Sequence, residues 1–95
     1  MSSEDLERYE AEAELALFKE YRDVVGMFRY VIETDRRSYL ANEVRRLSAP
    51  GDRLLEYELV DAWVWDTYRQ SRFLSRVTIS STRGITVEEL PEREL

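Results

Sequence analysis

Cysteine and histidine are both absent from the 95 residues of this chain, and the two absences remove whole classes of chemistry. Without thiols there are no disulfides to staple a small domain and no thiolate metal sites. Without imidazole, acid–base work at neutral pH falls to carboxylates, tyrosine or lysine, and no pair of carboxylates converges by its spacing. Lysine is nearly missing too: Lys19 stands alone beside thirteen arginines. A GC-rich genome explains that skew before any demand for guanidinium forks does, so arginine position carries more weight than arginine number. No glycine-rich phosphate loop, zinc-ligand spacing, EF-hand loop or nucleophile elbow occurs. No catalytic residue, metal ligand or cofactor site is assigned, and a non-enzymatic protein is the expectation.

Long apolar runs are also lacking. Nothing approaches the roughly 20 residues needed to span a bilayer, and the opening MSSEDLERYEAEAE is acidic where a secretion signal is basic and then apolar. A soluble, cytoplasmic protein without a membrane partner is expected. The net charge of −6 disfavours non-specific attraction to nucleic acid or anionic lipid. Its distribution is uneven: residues 1–25 carry eight acids against three bases, while residues 26–83 carry eight against ten. The middle of the chain is therefore where any phosphate-binding surface would lie.

What is present is a strong pattern. Ser2 and Ser3 suit a helix N-cap, and Glu4, Asp5 and Glu7 place negative charge in the first turn, where the helix dipole favours it. Leu6, Tyr9, Ala13, Leu17, Tyr21 and Val24 recur at spacings of three or four and make one apolar stripe, widened by Leu15, Phe18 and Val25. Glu10, Glu12, Glu14 and Glu20 are left for solvent. Gly26 can take the left-handed conformation that ends helices, so a helix is predicted over about residues 3–25.

After Gly26 the period falls to two. Phe28, Tyr30 and Ile32 alternate with Arg29, Val31 and Glu33 as a first strand, and residues 38–47 form a second. Ser48-Ala49-Pro50-Gly51-Asp52 is the clearest turn. The long run LLEYELVDAWVWDTY, residues 54–68, then reads as a half-buried strand whose odd positions, Leu55, Tyr57, Leu59, Asp61, Trp63 and Trp65, share one face. Residues 73–79 make a fourth strand, Arg83-Gly84 a tight turn and residues 85–87 a short edge strand. The prediction is one α+β domain, residues 1–95: a long N-terminal helix packed on a four- to five-stranded antiparallel meander, like the helix-gripped sheet of cystatins, with the sheet over about 27–88 and a charged tail at 89–95.

Asp61 is the anomaly in that register. A buried, unpaired carboxylate costs several kcal/mol, so it needs an arginine, backbone donors or a proton, or else a β-bulge must turn it outward. The outward bulge or a structural ion pair is the preferred reading. The functional alternative is a ligand pocket, or a hydrolase, built on Tyr57, Asp61, Trp63 and Trp65, although two tryptophans in so small a domain serve first as core. Arg36, Arg37, Arg45 and Arg46, with Tyr39, form a candidate basic-aromatic patch for phosphate or RNA, provided that the turns bring them together; cross-strand pairing with Glu33, Glu43, Glu56 and Glu58 is the plainer account. The opposite sheet face mixes Val31, Tyr39, Val60, Val64 and Leu74 with charges and suits a protein partner or self-association.

The pieces Ser3-Glu4-Asp5-Leu6-Glu7, Glu33-Thr34, Arg36-Arg37, Tyr39-Leu40-Ala41-Asn42 and above all Asp61-Ala62-Trp63-Val64-Trp65-Asp66, with Tyr68-Arg69 and Arg72-Phe73, resemble a small, uncharacterised family of actinobacterial proteins, a domain of unknown function. The resemblance covers nearly the whole chain and departs at Gln70 and in the turn at residues 48–52. It implies an actinobacterial, cytoplasmic setting and no particular chemistry. Genes of similar proteins lie beside those of ribonuclease HII and signal peptidase, near ribosomal protein genes, an association that points toward RNA metabolism or translation. A non-catalytic interaction module is therefore the leading expectation, an RNA- or ribosome-associated accessory protein the second, and a ligand pocket centred on Asp61 the third.

Overall fold

Ser2 opens the helix as its side chain allows: its hydroxyl accepts the backbone N–H of Asp5 at 3.2 Å and donates to the Asp5 carboxylate at 2.9 Å. A computed structural model describes residues 2–92. It contains helix α1 (Ser3–Val24), a 3₁₀ turn (Val25–Met27) and strands β1 (Tyr30–Thr34), β2 (Ser38–Arg46), β3 (Leu55–Val64), β4 (Phe73–Ser81) and β5 (Ile85–Glu89). The α+β class and the helix on an antiparallel sheet are as predicted. Gly26 does not take the left-handed conformation; only Gly51, at φ 89°, and Gly84, at φ 144°, have positive φ among the glycines. The 3₁₀ turn around Gly26 instead carries the chain on, with the Phe28 N–H bonded to the Val25 carbonyl, and β1 starts at Tyr30. Of the expected tail, Glu89 belongs to β5, and residues 93–95 lie outside the described residues.

Turn chemistry sets the other boundaries. Thr34 Oγ1 accepts the N–H groups of Arg36 and Arg37, both at 3.1 Å, and closes the β1–β2 hairpin. Asp52 Oδ2 accepts the Ala49 N–H at 2.8 Å, with Gly51 left-handed between them. The long strand is shorter than residues 54–68, because Asp66 Oδ1 accepts the Tyr68 N–H at 3.1 Å and turns the chain away.

The sheet order is β4-β3-β2-β1-β5, antiparallel throughout. β4 and β5 thus occupy opposite edges, which in a flat sheet would stand about 19 Å apart. Only residues 82–84 connect them, a link that reaches about 14 Å when fully extended. The sheet must curl, and side chains from every strand meet inside the curl: Ile32, Ala41, Leu59, Ala62 and Ile79 are buried together, with Ile85 packed against them. Ser81 Oγ, at the end of β4, donates to Asp35 in the β1–β2 turn at 2.9 Å and accepts the N–H groups of Arg83 and Gly84. A second core lies against the helix, where Leu17 and Val24 meet Phe28, Leu40 and Trp63.

These two cores correct the single inner face expected from alternation. Leu59 is buried inside the curl and Trp63 under the helix, although both are odd-numbered residues of β3. The inward parity changes at one level across three strands: from Ala41 to Val44 in β2, from Ala62 to Leu59 in β3 and from Leu74 to Val77 in β4. The pairing lapses at that level. The ladders run Ala41↔Ala62 then Glu43↔Val60, and Ala62↔Leu74 then Val60↔Arg76, passing over Asn42, Asp61 and Ser75. Asp61 has φ 53°, a left-handed conformation that Asp tolerates better than most residues. The register is equal on both sides, so a kink without an inserted residue turns the strand over. Four of the five apolar residues expected on the mixed outer face therefore go inside: Val64 is buried, Val31 packs on the helix-side core and Tyr39 and Leu74 on the other.

Candidate functional site

The predicted pocket residues do not come together. Asp61 is exposed, and its Oδ2 accepts from Asn42 Nδ2 at 2.7 Å. Tyr57 packs with the curl's interior, beyond the kink from the tryptophans. Trp63 and Trp65 do share a face, their rings edge to face with centroids 6.0 Å apart. They belong with Tyr21 of α1, 5.8 Å from Trp63 and 5.3 Å from Trp65. A groove of about 270 Å³ runs beside these rings and is lined also by Glu33, Tyr39 and Leu40.

The arginine patch is likewise divided. Arg36 and Arg37 stand in the β1–β2 turn and Arg45 and Arg46 at the far end of β2, about 26 Å away at strand rise. The expected approach fails because successive turns of a meander lie at opposite ends of the sheet. Arg37 is also held 3.6 Å from Asp66, and Arg45 sits opposite Glu58 in the β2–β3 ladder. A second groove, about 470 Å³, is lined by Arg29, Arg45 and Arg76 but also by Glu43 and Glu58. Its mixed charge selects neither sign of ligand. Among the described residues no cluster of acidic side chains suits a metal ion, and no helix is long and apolar enough to cross a membrane.

Two arrangements were not anticipated. Glu20, assigned to solvent by its charge, is a bridge: Trp63 Nε1 donates to Oε1 at 2.9 Å, and Arg72 donates to Oε2. Arg72 also donates to the carbonyls of Asp66 at 3.0 Å and Thr67 at 3.4 Å. One carboxylate thus ties α1 to β3 and to the β3–β4 connection. Helical spacing contains the signal, since Glu20 follows Leu17 by three positions and precedes Val24 by four. A carboxylate inside an apolar stripe needs partners.

The other is the uncovered half of α1. Leu17 and Val24 are buried, yet every residue from 2 to 16 except Ala13 is exposed. Leu6 is 47% and Tyr9 62% accessible, although both lie on the stripe that Leu17 and Val24 continue. Sheet side chains reach only the last two turns or so. About 21 Å of helix therefore stands with its apolar stripe bare and with Glu4, Asp5, Glu7, Glu10, Glu12 and Glu14 along its other sides. Phe18, 56% exposed, packs edge to face with Trp65 at 6.4 Å and continues the apolar surface toward the sheet.

Comparison with known proteins gives relatives but no activity. The family described as "Protein of unknown function (DUF2469)" matches residues 1–95. The chain is similar to the uncharacterized protein Rv2901c of Mycobacterium tuberculosis and the uncharacterized protein Mb2925c of Mycobacterium bovis. Each is 48% identical over 97 residues, covering 100% of this chain and 96% of the relative. No solved structure matches.

Proposed function

We propose that this chain, which belongs to the DUF2469 family of unknown function, is a non-catalytic protein-interaction module that docks through the projecting half of its helix. One observation carries the reading: the apolar stripe Leu6, Tyr9, Ala13, Leu17, Tyr21, Val24 is continuous in sequence, but among its members only Leu17 and Val24 are buried by the chain's own sheet. A helix of this kind suits an apolar groove in a partner, with anchors spaced by three and four residues. Its six acids against Arg8 over residues 3–14 call for a basic rim around that groove. The absence of histidine and cysteine from the sequence supports a role without catalysis. The division of the arginines between two ends of the sheet favours this reading over RNA binding by a single patch.

The test is cross-linking with mass spectrometry in native lysate, comparing the wild-type chain with Leu6→Glu/Tyr9→Glu. Cross-links from Lys19 and the N-terminal region to one recurrent, basic-surfaced protein, lost in the variant, support the proposal. An unchanged set of cross-links in a folded variant overturns it.

A further inference from the structure

The helix is not the only unpartnered element. The order β4-β3-β2-β1-β5 leaves one free edge on β4 and one on β5. No backbone hydrogen bond outside the ladders reaches residues 73–81 or 85–89 among the described residues. Natural sheets guard such edges with proline, lysine, bulges or very short strands. β4 here is nine residues long, has neither proline nor lysine, and carries the β-forming run Val77-Thr78-Ile79. β5 offers Ile85-Thr86-Val87 before its two acids.

The charges on the two edges are opposite in sign. Arg76 is the one charged residue of β4, and Glu88 and Glu89 are those of β5. The Arg76 side chain is 66% exposed and only loosely paired, 3.6 Å from Glu58. Pairing β4 with β4 sets arginine near arginine, and pairing β5 with β5 sets acids near acids. Pairing β4 with β5 joins opposite charges, and the antiparallel sense, whose ladder bonds run straight rather than slanted, is the more stable per residue. The acids end β5 while Arg76 lies in the first half of β4, so antiparallel strands bring Glu89 opposite Arg76, Val87 opposite Thr78 and Thr86 opposite Ile79. That register sets Glu89 against Arg76 and two β-branched residues of β5 against two of β4, cross-strand pairs that stabilise sheets, with Glu88 falling opposite Val77.

We infer that the β4 edge of one copy pairs antiparallel with the β5 edge of a second copy, head to tail. The contact is heterologous, so each added copy leaves one free β4 and one free β5, and assembly proceeds past the dimer to a ring or an open chain. This uses a different surface from the helix-docking proposal and stands or falls separately from it.

The experiment is sedimentation velocity on the purified full chain across a concentration series. Wild type should form species larger than a dimer. Arg76→Glu alone makes both edges acidic and Glu88→Arg/Glu89→Arg alone makes both basic, so each should weaken assembly by at least about tenfold. An equimolar mixture of the two variants restores every β4–β5 charge match and should assemble again past the dimer. Arg76→Gln and Glu89→Gln give the milder test, with circular dichroism confirming the fold. Leu6→Glu/Tyr9→Glu should leave the assembly unchanged. A monomer at every concentration, a dimer that goes no further, assembly indifferent to edge charge, or assembly abolished by the helix variant would each overturn the inference.

Discussion

Asn42 donates its side-chain amide to the Asp61 carboxylate across the β2–β3 ladder at 2.7 Å, at the level where the backbone pairing is passed over. The bond fastens the place where the sheet turns its buried side over, and the left-handed Asp61 lets it happen. In an ordinary strand glycine is worse than alanine, because it adds entropy to the unfolded chain and packs nothing. At φ 53° the order inverts. Asp61→Ala should lose about 1–2 kcal/mol from backbone strain and the missing hydrogen bond, Asp61→Gly less than that, and Asp61→Val the most. Urea denaturation of the three variants checks the ranking.

Glu20 holds Trp63 and Arg72 at once, and neither partner is freely solvated: Trp63 is 1% exposed and the Arg72 side chain 17%. Removing the carboxylate leaves a buried indole N–H without its acceptor and takes the charged partner from a largely buried guanidinium that keeps only carbonyls, so Glu20→Ala should cost about 1–3 kcal/mol. Glu20→Gln keeps one acceptor and should cost less. A double-mutant cycle on Glu20 and Arg72 should give a coupling of about 1 kcal/mol, since the Glu20 side chain retains 30% exposure.

Trp63 and Phe73 are cross-strand neighbours on β3 and β4 but differ in burial, 1% against 50% exposed. Truncation of Trp63 to alanine should cost about 3–5 kcal/mol, whereas Phe73→Ala should cost much less, with its stacked contact to Phe28 at 6.5 Å the main loss. Thermal unfolding of the two variants side by side measures the contrast.

Ser81 joins the end of β4 to the β1–β2 turn through Asp35 and satisfies the amides of Arg83 and Gly84. Ser81→Ala removes the buried hydroxyl, 6% exposed, that bonds Asp35 and the amides of Arg83 and Gly84, and should cost about 1 kcal/mol, since those amides lie at residues that water reaches. Hydrogen exchange should quicken at residues 82–85 and in the β1–β2 turn while α1 keeps its protection.

Local chemistry was legible in the sequence where the deciding atoms lie close together along the chain. The Ser2 cap, the turn closed by Asp52 and the helix stripe need only neighbours within four residues, and they appear as the residue types demand. Asp61 was also visible, as a carboxylate interrupting an apolar face, and its outward placement follows from what burial would cost. The reach of its effect was not visible. The parity switch needs Asn42, Asp61 and Ser75 to fall at one level of three different strands, and that depends on register rather than composition. Glu20 and Trp63 are separated by 43 positions, and the arginine pairs were divided by the direction in which the meander turns.

Helix residues Leu6 and Tyr9 give the most direct measurement, because stability and binding should part company there. The double variant Leu6→Glu/Tyr9→Glu should unfold within about 0.5 kcal/mol of wild type, as surface substitutions do, while its cross-links to a protein partner disappear. A variant that loses several kcal/mol would mean that those side chains are packed within the domain. One that keeps both its stability and its cross-links would mean that the exposed stripe is not the docking surface.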